Sequence, residues 1–249
     1  MTVQPPPPAH VLAAFGAVGT PEPLAGGTGR SWRAGSLVLK PLDCAEHEIR
    51  WQAELFAPIV QDGFRIAAPL PDVVDGWTAA PFLEGRHEHG RWRDIIATGE
   101  RFHAALAGVP RPDAIIDTRT NPWEVGDRVA WGERPYDGID DLLAALEPVD
   151  APSQLIHGDL TGNVLFHDDL PPAIIDFAPY WHPTEYATAI IVTDAVLWEG
   201  APAELLDEAH RQYLLRALIY RGVTSLEFKH DSWLPTLELA RRIAECASH

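Results

Sequence analysis

The sequence has only two cysteines, Cys44 and Cys246, which excludes a framework of disulfides. It also lacks a long apolar run, because the longest one, at residues 189–198, is interrupted by Asp194 and is too short to span a bilayer. The first residues, Met1 to Pro5, lack the basic start and apolar stretch of a signal peptide. We therefore expect a cytoplasmic protein with no membrane partner.

Positive charge is also scarce, with 19 lysines and arginines against 36 acidic residues and a formal net charge of −17. A nucleic-acid partner would require a basic face, so the composition argues against one. The simplest interpretation is that an acidic surface keeps the protein soluble. The charge is equally compatible with a cationic substrate. Lys40 and Lys229 are the only lysines, so a lysine in a functional pattern is conspicuous here.

The order of the predicted elements indicates an α+β fold. The first third is rich in glycine and short extended segments, including a predicted hairpin of residues 31–33 and 36–40. Helical periodicity dominates later, starting with residues 92–107. Strands followed by helices predict two lobes, 1–82 and 83–249, rather than alternating βαβ units.

Other elements are predicted from periodicity and from apolar runs. Helices are expected at residues 9–15, 45–59, 139–146, 186–198, 203–220 and 235–246, strands at 154–156, 164–166 and 173–175, and irregular chain at 110–135.

A glycine cluster, Gly26-Gly27-Thr28-Gly29, precedes the predicted hairpin. Glycine permits the close approach of backbone N–H groups to phosphate oxygens. A dinucleotide-binding fingerprint needs a helix directly after its glycines, and a P-loop needs Gly-Lys-Ser/Thr; neither requirement is met. The remaining interpretation is a hairpin that covers phosphates.

Lys40 ends the second strand of that hairpin. A strand lysine can neutralise the α- and β-phosphates of a nucleotide if a carboxylate on the following helix holds its ammonium. Glu46, Glu48 and Glu54 are the candidate carboxylates. The alternative is an ordinary solvated lysine at a strand end.

Two further segments, His157 to Phe166 and Ile174 to Phe177, bring polar residues between apolar runs. Asp159 has the chemistry of a base for an acceptor hydroxyl, and Asn163 and Asp176 offer oxygen ligands suited to Mg²⁺. Turn residues would explain the first two, but Asp176 directly follows a predicted strand. His157 is better interpreted as a structural hydrogen-bonding residue.

Together, His157-Gly158-Asp159, Asn163 and Ile175-Asp176-Phe177 resemble the catalytic loop and metal-binding segment of the aminoglycoside phosphotransferase and choline kinase-like families. These are small-molecule kinases with a protein-kinase-like fold, and the resemblance spans most of the chain. It implies a small β-rich N-lobe (1–82) that binds the nucleotide and a larger, mainly helical C-lobe (83–249).

The resemblance also implies ATP or another nucleoside triphosphate, Mg²⁺, and a small-molecule hydroxyl as acceptor. It assigns the base to Asp159, metal ligands to Asn163 and Asp176, the nucleotide loop to Gly26, Gly27, Thr28 and Gly29, phosphate binding to Lys40, the lysine partner to Glu48, and the adenine site to Pro81, Phe82 and Leu83. Asp194 and Glu199 are the predicted contacts of a cationic acceptor.

The sequence departs from the family pattern in its catalytic loop. Asn163 follows Asp159 by four residues instead of the usual five, so the loop must be tightened, with Gly162 as the candidate. Glu54 remains a rival to Glu48, and Ala178 stands where the family often has glycine. Two alternatives stay open: a kinase for a sugar or amino alcohol, and a pseudokinase-like protein that binds nucleotide with little turnover.

Overall fold

The structure is a computed structural model that describes residues 5–24 and 29–245. The strands are β1 Glu22–Pro23, β2 Trp32–Ala34, β3 Leu37–Pro41, β4 Arg65–Ile66, β5 Trp77–Pro81, β6 Gln154–His157, β7 Val164–Leu165, β8 Ala173–Ile174 and β9 Pro179–His182. The helices are α1 Ala9–Ala14, α2 Glu46–Phe56, α3 Trp92–Ala105, α4 Asp113–Ile116, α5 Pro122–Ala130, α6 Asp140–Ala144, α7 Thr184–Trp198, α8 Arg211–Glu227 and α9 Trp233–Glu245, with a 3₁₀ helix at Ala203–Glu208.

The chain divides into two compact units, residues 1–88 with 162–176, and residues 89–161 with 177–249. The first unit thus extends past the predicted lobe boundary and includes a segment of the predicted second lobe. The assignment of functions to lobes 1–82 and 83–249 remains a prediction. None of the helices in the described part of the chain is long and apolar enough to cross a membrane.

The first unit contains two small sheets. Strands β1, β2, β3 and β5 form an antiparallel sheet in that order, which confirms the predicted β2–β3 hairpin. Alternate side chains of these strands face one core, and Trp32, Leu39 and Trp77 lie in it. In the second sheet β8 pairs in parallel with β4 and antiparallel with β7. This pairing sets the positions of the residues that flank β7 and β8.

The second unit is mainly helical. Helix α8 packs against α5, α7 and α9, and most of its residues are buried. A helix buried on nearly all of its faces belongs to the centre of a core. Two of the buried residues are arginines, Arg216 and Arg221. The two-stranded sheet of β6 and β9 also belongs to this unit.

Two sequence predictions of secondary structure are wrong. Residues 110–135 are not irregular throughout, because α5 begins at Pro122 after the Asn121 side chain, which accepts a hydrogen bond from Glu124 N at 3.0 Å. The predicted helix over 203–220 is interrupted where Ala209 is extended. Helix α8 then begins after His210, whose ring nitrogen accepts a hydrogen bond from the backbone of Gln212.

Candidate active site

Lys40 lies on β3, and its ammonium pairs with two carboxylates of the same unit. It forms an ion pair and hydrogen bond with Asp176 and lies 3.5 Å from an oxygen of Asp43. Burial is the largest single influence on the pKa of Lys40 and lowers it, but Asp176, Asp43 and Cys44 together outweigh burial, so the pKa lies above its ordinary value. Lys40 therefore carries its positive charge at neutral pH.

Glu48 is the carboxylate predicted to hold the ammonium of Lys40. Glu48 is buried on α2, where its Oε1 accepts a hydrogen bond from the Gln52 amide at 3.3 Å. Its rivals Glu46 and Glu54 lie on the exposed face of the same helix. In this structure Lys40 forms ion pairs with Asp176 and Asp43. The role of Glu48 as a further partner of Lys40 remains a prediction.

Asp176 lies two residues after the end of β8 and has a left-handed backbone, with φ of 51°. Asp tolerates this region better than most residues, and such strained positions cluster at functional sites. Asn163 directly precedes β7, and its carbonyl accepts a hydrogen bond from Ile175 N at 3.0 Å. Asn163 is therefore held beside the residue that precedes Asp176. The adjacent Gly162 has φ of 81°, as suits a tight turn.

The donor chemistry of Asn163 and Asp176 fits a magnesium ion. Carboxylate and amide oxygens are hard ligands, and Mg²⁺ usually takes one or two protein carboxylates together with phosphate oxygens and waters. Both residues belong to the first unit and flank paired strands. Their role as a pair of metal ligands remains a prediction.

The predicted nucleotide loop can be described only in part. Gly26, Gly27 and Thr28 lie outside the described residues. Gly29 has φ of 68°, and Leu24 N donates a hydrogen bond to Ser31 O at 2.9 Å. The strands on either side of these residues, β1 and β2, pair antiparallel. The predicted loop is followed by a strand and not by a helix, as the sequence interpretation required.

The predicted adenine segment leaves the sheet at the end of β5. Pro81 is the last residue of β5, and Phe82 N donates a hydrogen bond to Ser36 O at 2.8 Å. The guanidinium of Arg33 lies over the Phe82 ring, 3.7 Å from its centroid. Leu83 is half-buried. The binding of adenine by these residues remains a prediction.

Asp159 belongs to the second unit, and a chain of hydrogen bonds supports its loop. Its N–H donates to Nδ1 of His157 at 3.1 Å, and the N–H of His157 donates to Nε2 of His103 at 3.0 Å. Burial, together with the neighbouring His157, lowers the pKa of His103 to about 3, so its ring is neutral and can accept this bond. Both histidines are buried and support the loop.

Sequence reasoning missed a charged neighbour of Asp159, Arg221. Nη2 of Arg221 donates a hydrogen bond to Oδ1 of Asp159 at 2.7 Å and another to Asp194, while Nε donates to Asp194 at 2.8 Å. Burial lowers the pKa of Arg221, but these carboxylates and Tyr220 raise it well above its usual value. No motif marks Arg221, because 62 residues separate it from Asp159.

The two acidic residues predicted to contact an acceptor already have protein partners. Asp194 is buried against Arg221, and burial raises its pKa to about 6 although the guanidinium opposes this shift. Glu199 accepts a hydrogen bond from Nε1 of Trp92 at 2.7 Å, and His89 lies 4.0 Å away. Their contact with an acceptor remains a prediction, and the burial of Asp194 disfavours it.

The second unit also contains a cavity of about 390 Å³ away from these residues. Asp127 and His182 line it with a hydrogen bond of 2.8 Å, as do Glu124 and Arg128, which form an ion pair at the same distance. These four groups are therefore engaged with one another, and none of the predicted site residues lines the cavity. The cavity is therefore separate from the predicted catalytic and metal-binding residues.

The fold has counterparts among solved structures. A spectinomycin phosphotransferase in complex with ADP and spectinomycin has a TM-score of 0.56 over 95% of this chain and 92% of its own, with 16% identity. A streptomycin-ATP-APH(2")-IIa ternary complex has a TM-score of 0.58 over 94% of both chains, with 11% identity. A choline/ethanolamine kinase family protein from Mesorhizobium loti has a TM-score of 0.56 over 92% and 89%, with 16% identity.

The chain has the protein-kinase-like fold of small-molecule kinases. At these identities the likeness is one of fold. The sequence matches no protein-family model, and it matches no curated protein. The residues of the site must therefore carry any argument about activity.

Proposed function

We propose that the protein is a phosphotransferase that moves the γ-phosphate of ATP, or of another nucleoside triphosphate, to a hydroxyl of a small molecule. The observation that supports this most strongly is the ion pair of Lys40 with Asp176. Sequence reasoning assigned these two residues independently to phosphate and to metal, and they meet in a chain with the fold of small-molecule kinases.

In this proposal the first unit binds the nucleotide. The ammonium of Lys40 neutralises phosphate oxygens, and the hairpin connection with Gly26, Gly27, Thr28 and Gly29 covers them with backbone N–H groups. Pro81, Phe82 and Leu83 contact adenine. Glu48, which is buried on α2, is the proposed helix carboxylate that holds the ammonium of Lys40.

Asn163 and Asp176 would hold Mg²⁺. When bound, the ion supplies positive charge that neutralises the phosphate oxygens during transfer. Asp176 has a left-handed backbone two residues after the end of β8, and it lies in the same unit as Lys40.

Asp159 orients the acceptor hydroxyl and receives its proton. As the acceptor oxygen bonds to the γ-phosphorus, the bond from that phosphorus to the bridging oxygen of the nucleoside diphosphate breaks. The Asp159 side chain is 42% exposed, which leaves it accessible to a substrate. Such a positioned base contributes roughly 10²–10⁴-fold to a rate.

One observation favours the pseudokinase-like alternative. Asn163 follows Asp159 by only four residues, so the catalytic loop is one residue shorter than the usual pattern. Such a protein would hold nucleotide with little turnover. A kinase for a sugar or an amino alcohol is a variant of the main proposal, because it uses the same residues and differs only in the acceptor.

The decisive experiment measures nucleotide binding and phosphate transfer separately. Wild-type protein is incubated with ATP, Mg²⁺ and a panel of aminoglycosides, amino alcohols and sugars, and phosphorylated product is detected by mass spectrometry. We expect transfer to at least one acceptor and a loss of about 10²–10⁴-fold in kcat for Asp159→Asn, with ATP affinity retained. Binding without transfer to any acceptor would favour the pseudokinase-like alternative, and transfer unaffected by Asp159→Asn would reject the assigned base.

A further inference from the structure

Arg221 lies within α8, the most deeply buried helix of the second unit, and is only 6% exposed. Its guanidinium donates hydrogen bonds to Asp194 from both Nε and Nη2, and the same Nη2 donates a hydrogen bond to Oδ1 of Asp159. In the contact between Arg221 and Asp194 both side chains are buried. In the contact between Arg221 and Asp159 the arginine is buried and the aspartate is half-exposed.

The energetics of burial make this arrangement rigid. A buried guanidinium is destabilising unless its charge is paired and its N–H groups are satisfied, and a two-pronged bond to a carboxylate fixes the plane of the guanidinium. The rings of Tyr220 and Trp198 lie near the guanidinium, with centroids 4.8 Å and 5.7 Å from its Cζ. Arg221 is thereby held in one orientation before it contacts Asp159.

We propose that Arg221, anchored by Asp194, is a positioning residue that fixes the direction of the Asp159 carboxylate toward the acceptor hydroxyl. This inference rests on the proposed function. It gives Asp194 a role as the anchor of Arg221 rather than as a contact of the acceptor. Small displacements of a catalytic group reduce rates strongly, so removal of the anchor should lower kcat while substrate binding persists.

A double-mutant cycle with Asp159 distinguishes this positioning role of Arg221 from a purely structural one. If Arg221 acts through Asp159, then Arg221→Met lowers kcat in the wild-type background by at least about tenfold but has little further effect in an Asp159→Asn background. If Arg221 only stabilises the core, the same factor is lost in both backgrounds.

Arg216 provides a matched control on the same helix. It is equally buried, and its guanidinium bonds to the backbone carbonyl of Glu147 and to Gln212. Arg216→Met removes a buried arginine from α8 without removing a bond to Asp159. We expect it to lower thermal stability but to change kcat by less than about threefold at temperatures where it is folded.

Arg221→Lys is the second variant, to be used also if Arg221→Met does not fold. Lysine keeps the charge but cannot reproduce a planar fork on Asp194 with a further donor on Asp159. We expect a loss of about tenfold in kcat, with the Kd for ATP and the KM for the acceptor changed by less than about threefold.

The outcomes distinguish this inference from the proposed function. Absence of transfer by the wild-type protein would overturn both. Transfer that depends on Asp159, combined with a kcat for Arg221→Lys equal to wild type or with equal losses in both backgrounds of the cycle, would overturn the positioning role alone.

Discussion

The ammonium of Lys40 pairs with the carboxylate of Asp176, although 136 residues separate them in the chain. The two side chains come from β3 and from the turn after β8, both in the first unit. A cation bound to Asp176 must compete with this ammonium for the carboxylate. The protein should therefore bind a divalent ion weakly until a triphosphate supplies negative charge that engages Lys40.

The first prediction concerns metal affinity without nucleotide. Lys40→Met should strengthen binding of Mn²⁺, a spectroscopic substitute for Mg²⁺, by several-fold, because it removes a positive charge next to the metal carboxylate. Titration followed by electron paramagnetic resonance measures the effect. Lys229→Met is the matched control, since it replaces the only other lysine, at an exposed position. Equal Mn²⁺ affinity in wild type and Lys40→Met would contradict the proposed metal site.

The second prediction is that the same variant binds nucleotide more weakly, although it binds the metal more strongly. The same Lys40→Met change should weaken ATP binding in the presence of Mg²⁺ by about tenfold or more, because it removes the positive charge proposed to neutralise the phosphates. Calorimetric titration measures it, again with Lys229→Met, whose affinity should equal that of wild type. Stronger metal binding combined with weaker nucleotide binding in one variant is difficult to explain by partial unfolding, which would weaken both.

Local sequence signals were sufficient for much of the fold. The β2–β3 hairpin and helices α3 and α7 were predicted because each depends on the periodicity or turn residues of a short segment. Helix α5 was missed although Asn121, Pro122 and Glu124 form a recognisable helix start. Strands β4 and β9 carry no comparable signal, because their short pairings depend on residues far away in sequence.

In the candidate site, too, residues in local motifs could be predicted from the sequence, whereas contacts between distant segments could not. Asp159, Asn163 and Asp176 were identified because they stand in compact motifs beside predicted strands. The pairing of Lys40 with Asp176 could not be predicted, because it depends on the placement of β8 within the first unit. Arg221 resembles any other helical arginine until the burial of α8 is known.

The third prediction tests the packing of the loop that carries Asp159. A Cβ atom on Gly158 would lie 2.3 Å from Cδ2 of Tyr180, on the neighbouring strand β9. Gly158→Ala should therefore lower the free energy of unfolding by about 1–3 kcal/mol, the usual cost of overpacking, and should reduce kcat by displacing Asp159. Urea unfolding measures the first effect. Addition of Tyr180→Leu should recover part of the stability, and an unchanged unfolding midpoint in Gly158→Ala would contradict the predicted clash.

The fourth prediction concerns pH and the buried ring of His103. Its pKa is about 3 in the folded protein, against an ordinary value of 6.5, so the folded state resists a proton that the unfolded chain accepts. Its contribution to stability is therefore complete above pH 6.5 and is lost as pH falls toward 3. At roughly 1.4 kcal/mol per pH unit, the loss between pH 6.5 and pH 5 is about 2 kcal/mol. In His103→Gln, whose side-chain oxygen can accept the bond from His157 N, urea unfolding across this range should lack that slope. His230→Gln, at an exposed position, should keep it, and identical slopes in all three proteins would refute the assignment.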